Sequence, residues 1–142
     1  MDRLYAAAFA ALTFTLSTTA TAGETPAPAD AKVYFIDLND GDKVSSPIDI
    51  RFGIEGMQIV PAGTEQEYSG HHHLLIDTTL DGASLDVPIP ADEQHIHFGS
   101  GQKEARVELS PGEHTLQLVL GDLNHIPHNP PVISERITIT VE

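Results

Sequence analysis

The chain has 142 residues, 7 Lys and Arg against 21 Asp and Glu, a formal net charge of −14, and no cysteine. That balance excludes a phosphate-backbone partner, which needs clustered Lys and Arg, and disfavours anionic lipid head groups. The missing cysteine excludes disulfides, thiolate metal sites and cysteine nucleophiles.

Arg3 lies close to Met1, an apolar run follows over residues 4–16, and Ala20-Thr21-Ala22 closes the segment. A charged start, a short apolar stretch and small residues at the end predict a secretory signal peptide over residues 1–22. Cleavage after Ala22 is expected to release a periplasmic product of about 120 residues, enough for one domain with one core. No later segment is continuously apolar over the roughly 20 residues that a membrane helix needs. Asp2 and Arg3 leave together, so the net charge is unchanged, and Met57 becomes the one methionine. A methionine-rich copper(I) site is thereby excluded.

Residues 23–31 (GETPAPADA) read as a flexible tether to a domain spanning 32–142. Residues 32–38 carry β-branched and aromatic side chains and end at Asn39-Asp40-Gly41-Asp42, a strong turn signal. Ile48, Ile50, Phe52 and Ile54 alternate with Asp49, Arg51, Gly53 and Glu55, the period of a strand with one buried face. Residues 72–78 form the next predicted strand, and its adjacent Leu74, Leu75 and Ile76 imply cover on both faces. Pro88 and Pro90 keep their neighbourhood out of regular ladders. Ala105, Val107 and Leu109 alternate up to the turn at Ser110-Pro111-Gly112, and Leu116, Leu118 and Leu120 alternate beyond it. A proline-bearing loop over 121–132 precedes a closing strand of Ile137, Ile139 and Val141. About seven short strands with no helical period predict an immunoglobulin-like β-sandwich, with an eight-stranded barrel as the alternative.

Eight histidines fall into groups: His71-His72-His73, His95-Ile96-His97, His114, and His125 with His128. Side chains two apart on a strand share a face. His71 with His73, and His95 with His97, therefore each present two imidazoles about 7 Å apart, able to converge on one ion. The prolines around His125 and His128 lower the ordering cost of recruiting that pair. Neutral imidazole suits zinc, copper(II) and nickel, and Asp77, Asp122 or Glu104 can complete a shell. His72 and His114 run in register with Leu74 and Leu116 and read as structural. Histidine groups are also candidate pH sensors.

The blocks Ser69-Gly70-His71-His72-His73-Leu74-Leu75-Ile76-Asp77, His95-Ile96-His97-Phe98-Gly99-Ser100-Gly101-Gln102 and Gly121-Asp122-Leu123-Asn124-His125-Ile126-Pro127-His128-Asn129-Pro130-Pro131 closely resemble a family of small secreted bacterial proteins. That family is the domain of unknown function 4399 (DUF4399). The resemblance covers nearly all of the expected mature chain and implies envelope localisation and an all-β domain, without an established activity. More loosely, residues 37–52 look like the first strands of periplasmic copper-carrier sandwiches.

The function expected is a periplasmic metal-binding module for copper(II) or zinc, in storage, delivery or resistance. Its ligands are His71, His73, His95 and His97, with His125 and His128 next. The alternative is a non-catalytic domain that recognises another envelope protein or a glycan, its histidines being structural. An enzyme ranks last, because a metallohydrolase needs a positioned base beside an open coordination position and none is evident.

Overall fold

Period-two alternation dominates the folded chain. The computed structural model describes residues 25–142, and the expected signal peptide lies outside them. Nine strands are described: β1 (Lys32–Ile36), β2 (Lys43–Val44), β3 (Ile48–Glu55), β4 (Gln58–Ile59), β5 (Ser69–Ile76), β6 (His95–His97), β7 (Glu104–Val107), β8 (Gly112–Gly121) and β9 (Ile137–Val141). One short 3-10 turn at Gly82–Asp86 interrupts them. Among the described residues no helix is long and apolar enough to cross a membrane.

The strands divide into two sheets rather than closing into one barrel. The smaller has the order β1-β3-β7, and the larger runs β2-β9-β8-β5-β4, with β6 also paired to β5. Neighbours are antiparallel except β2 with β9 and β4 with β5. Val33, Ile48, Ile50, Phe52 and Val107 from the small sheet meet Leu74, Leu116, Leu118, Leu120, Ile137 and Ile139 from the large one in a single buried cluster. Each such side chain contributes about 1.5–3 kcal/mol by leaving water.

Part of the segment before β1 pairs with the loop that carries Asn129. Asn129 N donates to the carbonyl of Thr25 at 2.9 Å, and Ala27 N donates to that of Asn129 at 3.1 Å. Ala27 and Ala31 also pack on the core. Short apolar side chains and paired backbone groups make docking cheap for a segment that composition alone marks as loose.

β5 positions the site. It lies between β8 on one side and β4 and β6 on the other, and all eight of its residues are buried. His72, Leu74 and Ile76 face the main core, while Leu75 on the outer face joins Val119 and Ile89 in a second small cluster. Loops cover that outer face, which is why the strand reads as continuously apolar beyond its histidines.

Candidate metal centre

The pleat turns His71 and His73 to the outer face of the large sheet. β6 runs antiparallel to β5 with His97 opposite His73, so His97 joins the same face. The fourth imidazole, His125, comes from the loop after β8. The ring centroids of these four side chains lie 4.5 to 6.1 Å apart. His71, His97 and His125 each bring one ring nitrogen to within 4.8 Å of the other two. Nitrogens sharing a tetrahedral zinc sit about 3.3 Å apart, so small ring rotations close the set.

The loop that delivers His125 is built around Asp122. Its backbone N–H donates to Ile126 at 2.8 Å, and its carbonyl accepts from His125 N at 2.9 Å. Its carboxylate accepts from Asn124 N at 2.8 Å, Ile126 N at 3.0 Å and the Thr25 hydroxyl at 2.6 Å. Asp122 is thus engaged in holding the loop that carries His125. His125 itself has φ of 68°. That left-handed position of a short hairpin loop is ordinarily glycine, and a side chain there costs roughly 1–2 kcal/mol. The strain places an imidazole where backbone economy asks for none. Thr25→Val removes one of the carboxylate's hydrogen bonds and is expected to speed amide exchange over residues 122–126 while leaving the strands protected. Unchanged exchange in that loop would show that the Thr25 contact does not hold it.

Two glycines make room for the rings. A Cβ at Gly99 would lie 2.3 Å from Cε1 of His97, and one at Gly121 would lie 2.5 Å from Cε1 of His73. Neither glycine needs a left-handed backbone, so space is the reason for both. Within this packing both nitrogens of His71, both of His73 and Nε2 of His97 are buried without a hydrogen-bond partner. The backbone of His71 approaches His73 but in a geometry too poor to count as a hydrogen bond.

Burial and mutual repulsion keep these rings neutral. Burial, then His97 and His125, lower His71 to about 4, against a small opposing effect of Asp122. Burial, then His71, His97 and His125, lower His73 to about 2. His97 is lowered by burial and then by His125. Neutral imidazole is the form that binds a metal.

The other candidates lie elsewhere. His95 shares the outer face but pairs with Leu75, and its Nδ1 contacts the Asp92 carboxylate at 2.7 Å. His128 is buried, and its Nε2 donates to the carbonyl of Ser69 at 3.0 Å. The 125–128 spacing suggested two loop ligands, but the tight turn at Asp122 directs only the first toward the cluster. Glu104 is exposed on the small sheet, paired in register with Arg51. Asp77 accepts from His114 Nδ1 at 2.7 Å and from Thr115 N at 2.8 Å. Burial raises the Asp77 carboxyl, but these hydrogen bonds outweigh it and hold it below the usual range. The Asp77 hydrogen bond in turn raises His114, whose Nε2 contacts the Ser110 carbonyl at 2.8 Å. That pair ties β5 to β8 and is no ligand set.

His72 points into the main core, its ring centroid 5.0 Å from that of Phe52, with both nitrogens unpartnered. Each orphaned group costs about 1–3 kcal/mol. His72→Leu is therefore expected to stabilise the domain by at least about 1 kcal/mol, read as a higher denaturation midpoint at unchanged slope. A fall in midpoint would mean that the ring has a partner in solution.

Fold and site together define a class: an all-β, two-sheet protein with a partly buried histidine cluster able to hold a metal ion. The chain belongs to the family described as "Domain of unknown function (DUF4399)", whose model matches residues 50–142. No curated protein and no solved structure matches it.

Proposed function

We propose that this protein binds a divalent transition-metal ion, copper(II) or zinc, through His71, His97 and His125, in periplasmic storage, delivery or resistance. One observation carries the reading: His71, His97 and His125 each bring one ring nitrogen within 4.8 Å of the other two, in a cluster where both nitrogens of His71 and Nε2 of His97 are buried without a partner. Left empty, each such nitrogen costs about 1–3 kcal/mol, and a cluster of leucines would be more stable. A bound ion changes that balance. Imidazole donors favour zinc and copper over calcium or magnesium, and the acidic surface concentrates cations. The N-terminal sequence pattern supports export, and the carboxylate nearest the cluster in sequence, Asp122, is engaged in its loop. We therefore read a binding protein and not an enzyme.

An immunoglobulin-like sandwich remains our finer reading of the fold. Pairing orders β1-β3-β7 and β9-β8-β5 correspond to strands A-B-E and G-F-C of that architecture.

Elemental analysis of untagged protein purified from the periplasm, followed by titration of the metal-free chain, tests the proposal. One ion per chain is expected, lost in the variant carrying H71A, H97A and H125A. Stoichiometric uptake that survives in that variant overturns the assignment.

A further inference from the structure

We infer that the centre is a closed cage of four imidazoles, with His73 as the fourth ligand, shaped for tetrahedral zinc rather than tetragonal copper(II). The inference rests on the metal-binding reading above and deepens it. The four ring centroids define six separations. They are 4.7 Å for His71–His73, 4.9 Å for His71–His97 and 5.0 Å for His71–His125. The others are 5.0 Å for His73–His97, 6.1 Å for His73–His125 and 4.5 Å for His97–His125. A zinc–nitrogen bond plus half an imidazole puts each centroid about 3.2 Å from the ion, and tetrahedral centroids about 5.2 Å from one another. The observed values scatter about that figure.

A flat arrangement does not fit them. A square-planar set requires both opposite pairs to lie about 6.4 Å apart. With His73–His125 as one diagonal at 6.1 Å, the other, His71–His97, is only 4.9 Å. Flattened, those diagonals would give sides of about 3.9 Å, shorter than the 4.5 to 5.0 Å found. The four centroids are therefore not coplanar; His71, His97 and His125 already bring nitrogens within 4.8 Å of one another, and a turn of the His73 ring is what completes the four.

His73 also meets the chemical requirement. It is fully buried, both its nitrogens lack partners, and its ring lies in the space left by the missing Cβ of Gly121. His71 and His73 form the floor, and the partly exposed His97 and His125 form the rim through which an ion enters. Four protein ligands leave no position for water, the hallmark of structural and carrier sites as opposed to catalytic ones. The order of intrinsic affinities favours copper, so discrimination has to come from geometry.

The test uses the full exported chain, freed of metal and loaded with cobalt(II), zinc or copper(II). Cobalt is expected to give the intense visible bands of tetrahedral coordination, and zinc X-ray absorption four nitrogens at about 2.0 Å. Copper(II) is expected to show the narrowed hyperfine splitting of a tetrahedrally compressed site. In His73→Leu a water takes the vacated position, the cobalt bands shift and become pH-dependent, and zinc affinity falls at least about tenfold, since losing even an outer-shell partner costs that much. Leucine removes two orphaned nitrogens, so the metal-free variant remains folded. An octahedral cobalt spectrum, a tetragonal copper spectrum, or His73→Leu matching the wild type in spectrum and affinity overturns the cage. If the wild type takes up none of the three ions, the metal-binding reading itself falls.

Discussion

Zinc at a thousandfold excess over its dissociation constant is expected to stabilise the fold by about 4 kcal/mol, raising the unfolding temperature by roughly 15 °C for a domain of this size. The physical reason is that the ligands do not exist as a set in the unfolded chain. His71 and His73 come from β5, His97 from β6 and His125 from a loop beyond β8. Only the folded pairing of β5 with β6 and β8 brings them within reach of one ion. Ligands that bind the native state alone shift the equilibrium by mass action. The His71-His72-His73 run can hold some metal when unfolded, which trims the shift without abolishing it. Scanning calorimetry of the wild type and of the variant with H71A, H97A and H125A decides the matter. An equal shift in both would place the ion elsewhere.

Acid is the second large lever, and it acts on the metal-free protein. Burial holds His71 and His72 at about 4 and His73 at about 2, with neighbouring imidazoles adding to the effect at His71 and His73 and Lys103 at His72. In the unfolded chain each takes up its proton near 6.5. Between those limits the unfolded state binds more protons than the native state, so falling pH favours unfolding. The stability is complete above about pH 6.5 and is lost progressively as pH falls to about 4, with His73 extending the loss further. Every tenfold loss of proton affinity on folding corresponds to about 1.4 kcal/mol, so the loss is a large part of an ordinary domain's total. His114 has the opposite sign. Asp77 raises it, so its contribution is full below about pH 6.5 and fades as pH rises through its folded value. Denaturant midpoints measured at stepped pH, in the wild type and in His72→Leu, separate these effects. A midpoint that stays level between about pH 7 and 5 would mean the rings are hydrated or hydrogen-bonded in solution.

Most strand positions were legible because alternation is a local property. Ile48, Ile50 and Phe52, or Leu116, Leu118 and Leu120, announce a buried face within a few residues. β2, β4 and β6 were harder, since two or three residues cannot display a period, and partners distant in sequence decide their pairing. The same contrast runs through the site. The H-x-H spacing of His71 and His73 revealed a shared face, and that is a fact of backbone geometry. Which of His95 and His97 joins them depends on register: His97 lies opposite His73, and His95 lies opposite Leu75. A slip of two residues would exchange their roles.

The amino-acid sequence by itself determined the chemistry on offer: nitrogen donors without thiolates, an acidic surface, and strands built for burial. Only the tertiary structure decided which donors meet. Asp122, read as a spare ligand, turned out to shape the loop that carries His125, and Gly99 and Gly121, unremarked in the chain, proved to be the space the rings occupy. The physical reason is that convergence requires strand register, one left-handed residue and two missing Cβ atoms together, and no local window of the chain contains all three.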